Sequence, residues 1–513
     1  MLVSFFLSLS GSKGAELLAA MSSESRGSGG SSDDEATALD RLRLSSPPPP
    51  PPPPPPLCAL RAHGGDVQAA VLSPCGSLLY SGDSEGDLRI WDVEDRRTIF
   101  TLRLHPAEGG VLGLFLPSRS SFSSSSSSSS SARRRELLSQ GREGTLKLWR
   151  LSESGREVVD AGAAAPASPP RPLTMVATGS RGFCVLSAVE SAGGGTLLAA
   201  VASEDSASVR VFDARRAELL CELSEAAAAA AASSGAEGGA GGAGREQQQQ
   251  QQPRPPPSRG MAMAVSLFFA GGSDALHALV GYEDGSVVLW RCLGGAKGEG
   301  KRDGGDREDD VARATTTTTT TGTTAAVAAA HPPPRALSSL RIHFDAVTAV
   351  VGTVTQDSAA GKRSLRFFSG GADSVLASYL VEISTSSSSF SSSVSLRPGP
   401  AAKLPSRGVG ALAVLQKSED EGTLVVAGGW DGTIRLLALR EAEESEEEEN
   451  KGGNGKTLPP PSPSPSPLFL EPLGELEHHV APIAALTLDA SGELLASGGR
   501  DGSVALWGLG TPV

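Results

Sequence analysis

Along much of the chain, short runs of alternating apolar and polar residues are separated by tight turns of Gly and an acid. Four segments read alike: SGDSEGDLRIWD (81–92), SQGREGTLKLWR (139–150), VGYEDGSVVLWR (280–291) and SGGRDGSVALWG (497–508). Period-two alternation predicts a half-buried strand, and the Gly-rich turn before it closes a hairpin. Two weaker copies keep the register, SGGADSVLASYL (369–380) with Tyr379 in place of Trp and AGGWDGTIRLLAL (427–439) with Leu437 there. A third, SEDSASVRVFD (203–213), uses Phe212 and carries one extra residue in its turn. That makes seven hairpins. Trp91, Trp149, Trp290 and Trp507 share one register position, and the fifth tryptophan, Trp430, sits in the turn of the sixth copy.

Upstream of the first and last copies lies another strand pair, HGGDVQAAVLSPCGSLLYSGD (63–83) and HHVAPIAALTLDASGELLASGG (478–499). Each repeat therefore supplies about four short strands, the blade of an all-β, seven-bladed propeller. The intervals between register positions exceed a blade of about 40–45 residues. Setting aside biased segments near 118–134, 153–172, 224–260, 294–335, 384–404 and 441–470 leaves about 41 residues per blade, which fits such a repeat. These segments, rich in single-residue runs, are expected to be disordered inserts, and residues 1–56 a disordered Ser/Pro-rich segment. The propeller then occupies 57–513. Because the chain ends soon after Trp507, the last blade lacks its outer strand, and Leu57–Arg61 is expected to supply it.

Composition narrows the function. With 45 Lys and Arg against 58 Asp and Glu, the chain carries −13, which argues against direct nucleic-acid binding. The acid run 441–449 reads as a solvated loop. Five scattered cysteines, with no CxxC pair, fit a reducing compartment and predict neither a disulfide frame nor a metal site. No apolar run is long enough to span a bilayer, so no membrane partner is expected. The start, MLVSFFLSLSGSKG, is a poor secretory signal, and either Met1 or Met21 could open the chain.

The hairpin, with its Gly-acid turn and terminal Trp, resembles the WD-repeat family over most of residues 57–513. In that family a His before the first strand, a Ser or Thr on the second, an Asp in the turn and the Trp form a hydrogen-bonded set. By this resemblance the seventh blade carries His479, Ser497, Asp501 and Trp507. The first carries His63, Ser81 and Trp91, with Glu85 at the Asp position; the fifth carries His343, Ser369 and Asp373 with Tyr379. The second keeps Ser139, Glu143 and Trp149. The third, fourth and sixth lack the His and Ser, the fourth keeping Asp284 and Trp290 and the sixth Asp431. The phrases LLSQGR (137–142) and LVGYEDGSVVLW (279–290) narrow the likeness, which resembles the ASTRA-associated protein 1 family, the G-protein β-subunit-like protein 1 family of animals. That resemblance implies a scaffold subunit, nuclear or cytoplasmic or both. Its partners would be the co-chaperone assembly that matures large phosphatidylinositol-3-kinase-like kinases and, in fungi, chromatin-remodelling factors.

A Ser-His-Asp trio also evokes hydrolysis, but a nucleophile needs an open cleft and an oxyanion hole, and this set recurs from blade to blade. No metal-ligand cluster, phosphate-cradling loop or cofactor site is expected, and no enzyme. An alternative is a substrate receptor of a cullin-type ubiquitin ligase, since Phe212-Asp213-Ala214-Arg215 approximates the Trp-Asp-x-Arg ending of such proteins. A heterotrimeric G-protein β subunit would need an N-terminal heptad helix, which the Pro run at 47–56 opposes. Tyr282–Glu283–Asp284 and Trp430 are candidate contacts, and the serines of 462–466 candidate sites of proline-directed phosphorylation.

Overall fold

A computed structural model of the chain describes residues 53–117, 135–160, 169–191, 195–225, 259–270, 275–293, 333–354, 363–385, 392–416, 422–441 and 468–510. The chain divides into two units, Met1–Pro52, which lies outside the described residues, and Pro53–Val513. In the second unit the described residues form 29 strands in seven antiparallel sheets. After β1 (Cys58–Arg61), blade 1 is β2 (Val67–Leu72), β3 (Leu78–Asp83), β4 (Asp87–Asp92) and β5 (Arg97–Arg103). Blade 2 is β6 (Val111–Phe115), β7 (Arg135–Gly141), β8 (Thr145–Leu151), the two-residue β9 (Val158–Val159) and β10 (Thr174–Ala177). Blade 3 is β11 (Ser187–Glu190), β12 (Leu197–Ala202), β13 (Val209–Asp213) and β14 (Glu218–Leu223). Blade 4 is β15 (Ala262–Phe269), β16 (Leu276–Tyr282), β17 (Ser286–Leu293) and β18 (Arg335–Arg341). Blade 5 is β19 (Val347–Val354), β20 (Arg363–Gly371), β21 (Val375–Thr385) and β22 (Ser392–Lys403). Blade 6 is β23 (Val409–Gln416), β24 (Thr423–Gly429), β25 (Thr433–Glu441) and β26 (Leu468–Glu477). Blade 7 is β27 (Ile483–Leu488), β28 (Leu494–Gly499) and β29 (Ser503–Gly508), completed by β1, which pairs with β29 from Cys58↔Leu506 to Arg61↔Ser503. The first strand of the unit thus fastens its last blade, as the sequence predicts, and the ring has no free end.

The core is divided into seven apolar clusters, one at each seam between neighbouring blades. The second strand of a blade feeds two seams at once. On β3, Leu78 and Tyr80 join blade 2 while Leu79 joins blade 7. This is why such strands are buried throughout, β3, β12, β16 and β24 without a break. The register aromatic always turns to the preceding blade: Trp91 to blade 7, Trp149 to blade 1, Phe212 to blade 2, Trp290 to blade 3, Tyr379 to blade 4 and Trp507 to blade 6. Leu437 does the same toward blade 5. At this position the ladder to the outer strand slips by a residue in blades 1, 3, 4, 5 and 6, a bulge that makes room for the large side chain.

A second register position sets how closely blades approach. A Cβ on Gly82, Gly281, Gly370, Gly428 or Gly498 would lie 2.4–2.7 Å from Val111, Val347, Val409, Ile483 or Val67 of the next blade. Blade 2 has Gln140 there instead. Its amide donates to the Cys184 carbonyl (3.0 Å) and accepts from the Leu186 amide (2.7 Å), so the seam to blade 3 closes by hydrogen bonds. The LLSQGR phrase has a packing cause.

Two expected inserts are corrected. Residues 392–403 of the supposed 384–404 insert form β22, the outer strand of blade 5, because Ser–Val–Ser–Leu alternation matches the exposed-edge pattern opposite β21. Within 153–172, Val158–Val159 pairs with Arg150–Leu151, and residues 169–172 lead into β10. Smaller overlaps trim the others: 259–260 and 333–335 belong to blade 4, 441 and 468–470 to blade 6. The cores of the expected inserts (118–134, 161–168, 226–258, 294–332, 442–467), the serines of 462–466, and Met1 and Met21 all lie outside the described residues.

Antiparallel pairing fixes which connections share an end of the ring. Turns between second and third strands, and loops that pass to the next blade, lie at one end, here the acid-turn end. First-to-second and third-to-fourth connections lie at the other.

Candidate functional site

At the acid-turn end, the loop entering a blade brings a His against its second strand. In blade 7, His479 Nε2 lies 2.8 Å from Ser497 Oγ, Nδ1 lies 3.0 Å from Asp501 Oδ2, and Trp507 Nε1–H donates to Ser497 Oγ at 3.0 Å. With a neutral imidazole the donors close as Trp N–H to Ser oxygen, Ser O–H to Nε2 and Nδ1–H to the carboxylate. Asp501 also caps its own turn, accepting the Ser503 amide at 3.0 Å and the Ser503 hydroxyl at 2.7 Å. Blade 5 repeats the set with His343–Ser369 at 2.7 Å and His343–Asp373 at 3.0 Å, the Tyr379 hydroxyl standing 3.0 Å from Ser369 where the indole would be.

Blades 1 and 2 depart from the sequence reading. In blade 1, His63 Nε2 meets Ser81 Oγ (2.6 Å) and Trp91 Nε1 donates to Ser81 (2.7 Å), but the acid is Asp83, 2.8 Å from His63 Nδ1, and not Glu85. Asp83 occupies the place of Gly499 in blade 7, two residues before the turn acid, and its other oxygen accepts the amides of Glu85 (3.0 Å) and Asp87 (2.9 Å). In blade 2 a complete set exists, because His105 lies 2.8 Å from Ser139 and 2.5 Å from Glu143, with Trp149 Nε1 donating to Ser139 at 2.9 Å. The signal for His105 was available: like His63, it precedes the first strand of its blade.

Electrostatics follow from burial. It pushes the imidazoles of His105 and His479 below their ordinary value despite the opposing pull of Glu143 and Asp501. Burial alone would raise the Glu143 carboxyl, but hydrogen bonds from His105 and Thr145 bring it down to about 2.

Blades 3, 4 and 6 solve the turn differently. Asp431 is held by Arg435, with contacts of 2.9 and 3.3 Å, and Arg435 also reaches Glu475 at 3.0 Å. Asp284 accepts the amide and hydroxyl of Ser286 (2.9 and 2.6 Å), and Ser286 accepts from Arg259 at 3.0 Å. Asp205 gathers Ser203 and Ser208. Val280 stands where Ser would, so Trp290 Nε1 makes no hydrogen bond of good geometry, with only the hydroxyl of Tyr282 beside it.

Every one of the expected residues is thus placed at a turn or in a seam, and the arrangement offers structure, not chemistry. In blade 7 the His479 side chain and Ser497 are fully enclosed, so no substrate reaches the Ser-His-Asp trio. Among the described residues no three His, Cys, Asp or Glu are grouped to hold a metal ion, and no helix is long and apolar enough to cross a membrane. Tyr282 is a core residue at 2% exposure, which corrects its reading as a surface contact. Trp430 is exposed at 40% with its ring against Gly408, where any Cβ would strike it. Arg215, which carried the ligase alternative, is committed to Glu136 of blade 2 (2.8 Å) and Glu190 of its own blade (2.7 Å).

Residues 54–92 and 470–508 match the family model described as WD domain, G-beta repeat. Each match spans an outer strand and the first three strands of the next blade, so the sequence repeat straddles two sheets. A mouse protein, guanine nucleotide-binding protein subunit beta-like protein 1, is 26% identical over 213 residues, 42% of this chain and 48% of that protein. The chain thus spans about half the length of this relative. Among solved structures, "Structure of U3-55K" is 13% identical and overlaps 88% of this chain and 98% of that chain at a TM-score of 0.45.

Proposed function

We propose that this chain, a seven-bladed propeller carrying WD repeats, is a non-catalytic protein–protein interaction scaffold of the ASTRA-associated protein 1 type. Its partners are the co-chaperone assembly that matures large phosphatidylinositol-3-kinase-like kinases, and chromatin-remodelling subunits, met in the nucleus, the cytoplasm or both. The observation that carries the scaffold reading is the closed ring itself. Seven apolar seams hold it rigid, the polar groups that could do chemistry are spent on one another, and the acid-turn end presents loops from every blade. The partial likeness to the mouse β-like protein supports the WD-repeat part of the reading, and the narrower part rests on the LLSQGR and LVGYEDGSVVLW phrases.

Affinity purification of the tagged full chain from its own cells, with mass spectrometry of what is retained, tests it. Recovery of kinase-maturation co-chaperones with the large kinases is expected. A cullin-ligase adaptor in their place, lost on Arg215→Ala, would replace the reading, and retention of no partner would end it. Subcellular fractionation of the same cells checks the compartment.

A further inference from the structure

We propose that the acid-turn end of blades 7, 1, 2 and 3 docks a protein segment whose carboxylates, flanked by apolar side chains, are gripped by Arg142 and Arg500. This rests on the scaffold reading and names the chemistry of the partner. Arg142 stands in the turn before the third strand of blade 2, and Arg500 at the matching turn of blade 7. Between them lies blade 1, whose inner-strand Gln68 accepts from Arg142 Nη2 at 3.3 Å. The guanidinium lies over the Phe183 ring, 5.2 Å from its centroid. Its Nε is buried without a hydrogen bond, and among the described residues no carboxylate comes within ion-pair distance of it.

Arg142 is a half-buried cation beside a second cation. Burial first, and then the charge of Arg500, hold its guanidinium below the ordinary value, against a weaker opposing pull from Asp66. Arg500 is fixed by its backbone amide to the Pro482 carbonyl (3.0 Å), while its side chain is exposed. In a chain of net charge −13, two neighbouring cations without a paired carboxylate stand out. Two guanidinium groups close enough to feel each other's charge at one end of the ring suit carboxylate oxygens, which would supply the missing counter-charge and the acceptor for Arg142 Nε.

The surroundings say what else the ligand carries. Phe183 is 54% exposed, Val185 45% and Val480 90%, so apolar surface rims the cations at the same end. Glu85, Glu108 and Glu204 are also exposed there, which disfavours an extended polyanion and leaves a short acidic segment with aliphatic or aromatic anchors.

Selection of displayed random twelve-residue peptides on the immobilised full chain tests this. Enriched peptides should hold Asp or Glu between aromatic or aliphatic residues. A synthesised winner should bind Arg142→Gln and Arg500→Gln at least about tenfold more weakly, the loss of a charge-assisted contact. Its affinity should also fall with rising salt. Arg397→Gln, on the outer strand β22, should leave binding unchanged. Arg500 makes no side-chain hydrogen bond among the described residues, so its variant keeps the test sound even if Arg142→Gln melts early. Enrichment of acid-free peptides, no enrichment, a need for phosphorylated peptides, or binding by both variants within twofold of the parent would overturn the site. Recovery from cells of the same partners by the double variant would also overturn it and leave the scaffold reading standing. Failure of the parent chain itself to retain any partner would strike the scaffold reading instead.

Discussion

Blades 1, 2, 5 and 7 and blades 3, 4 and 6 have the same four-strand plan but secure their turns with different chemistry. In the first group a histidine runs from an acid, the turn acid in blades 2, 5 and 7 and Asp83 in blade 1, to a serine inside the blade, and in blades 1, 2 and 7 the register indole donates to that serine. One imidazole therefore joins the incoming loop, the second strand and the third. In blade 6, Arg435 sits on the third strand itself and ties Asp431 only to the outer strand, through Glu475. Blade 4 reaches its turn from Arg259, which also donates to Ser339 of the outer strand. The comparison teaches that the apolar seam is enough to build a blade, with Leu437 serving in blade 6, and that the histidine relay adds a lock on the loop between blades.

The comparison can be broken or sharpened by substitution. The largest effects are expected from Trp507→Ala and Trp290→Ala, about 3–5 kcal/mol each, because both empty a buried seam. Near-equal losses in denaturant melts would show that seam area, common to both groups, dominates. Next, His479→Ala leaves the Ser497 hydroxyl and the Asp501 carboxylate without their buried partner and should cost about 2–3 kcal/mol. Asp431→Asn, at a more open turn, should cost about 1 kcal/mol. A reversed order would remove the distinction between the groups. The indole nitrogen gives a finer test. Trp507→Phe should exceed Trp290→Phe by about 1 kcal/mol, since only the first loses a hydrogen bond.

The smallest effect is a pH dependence. Burial depresses His105 and His479, and His277 to about 4, so below about pH 6.5 the unfolded chain takes up protons that the folded chain refuses. Their contribution is whole above that pH, begins to fall below it and is lost as pH drops through the depressed folded values, about 4 for His277. The Glu143 carboxyl, at about 2, adds a further loss only below its unfolded value near 4.5. Melting should thus be highest near neutrality and drop by a few degrees toward pH 5.5, with a shallower slope in His479→Gln. A slope unchanged by that variant would refute the role given to its titration.

Blade number, register and ring closure are legible in the sequence because each is written in local alternation and a repeated aromatic. What escapes is set by contacts across blades. Asp83 does the work expected of Glu85 because the position two residues earlier, Gly in blades 2, 5 and 7, points its Cβ at the imidazole; a Cβ at Gly371 would come within 2.4 Å of His343 Nδ1. His105 precedes its first strand as His63 does, but in LRLHPAEGG the Pro and Gly that follow it are spaced unlike those after the other histidines, which masks that signal until the fold sets it beside Ser139. Outer strand β22 hides in Ser-rich sequence because an exposed edge needs few apolar residues. The Arg142–Arg500 pair is invisible for the same reason: about 360 residues separate two turns that the ring brings together.

The closing strand also has a schedule. β1 leaves the ribosome among the first parts of the propeller, yet its partner β29 follows about 440 residues later. At roughly 5–20 residues per second, Cys58–Arg61 waits about 20–90 s before its ladder can form. Throughout that interval the growing chain has two unpaired blade faces, and Trp91, Val67 and Leu79 have no seventh blade to cover them. A nascent form of this protein therefore leaves that apolar face uncovered until β29 is made, and a chain stalled short of β29 keeps it so.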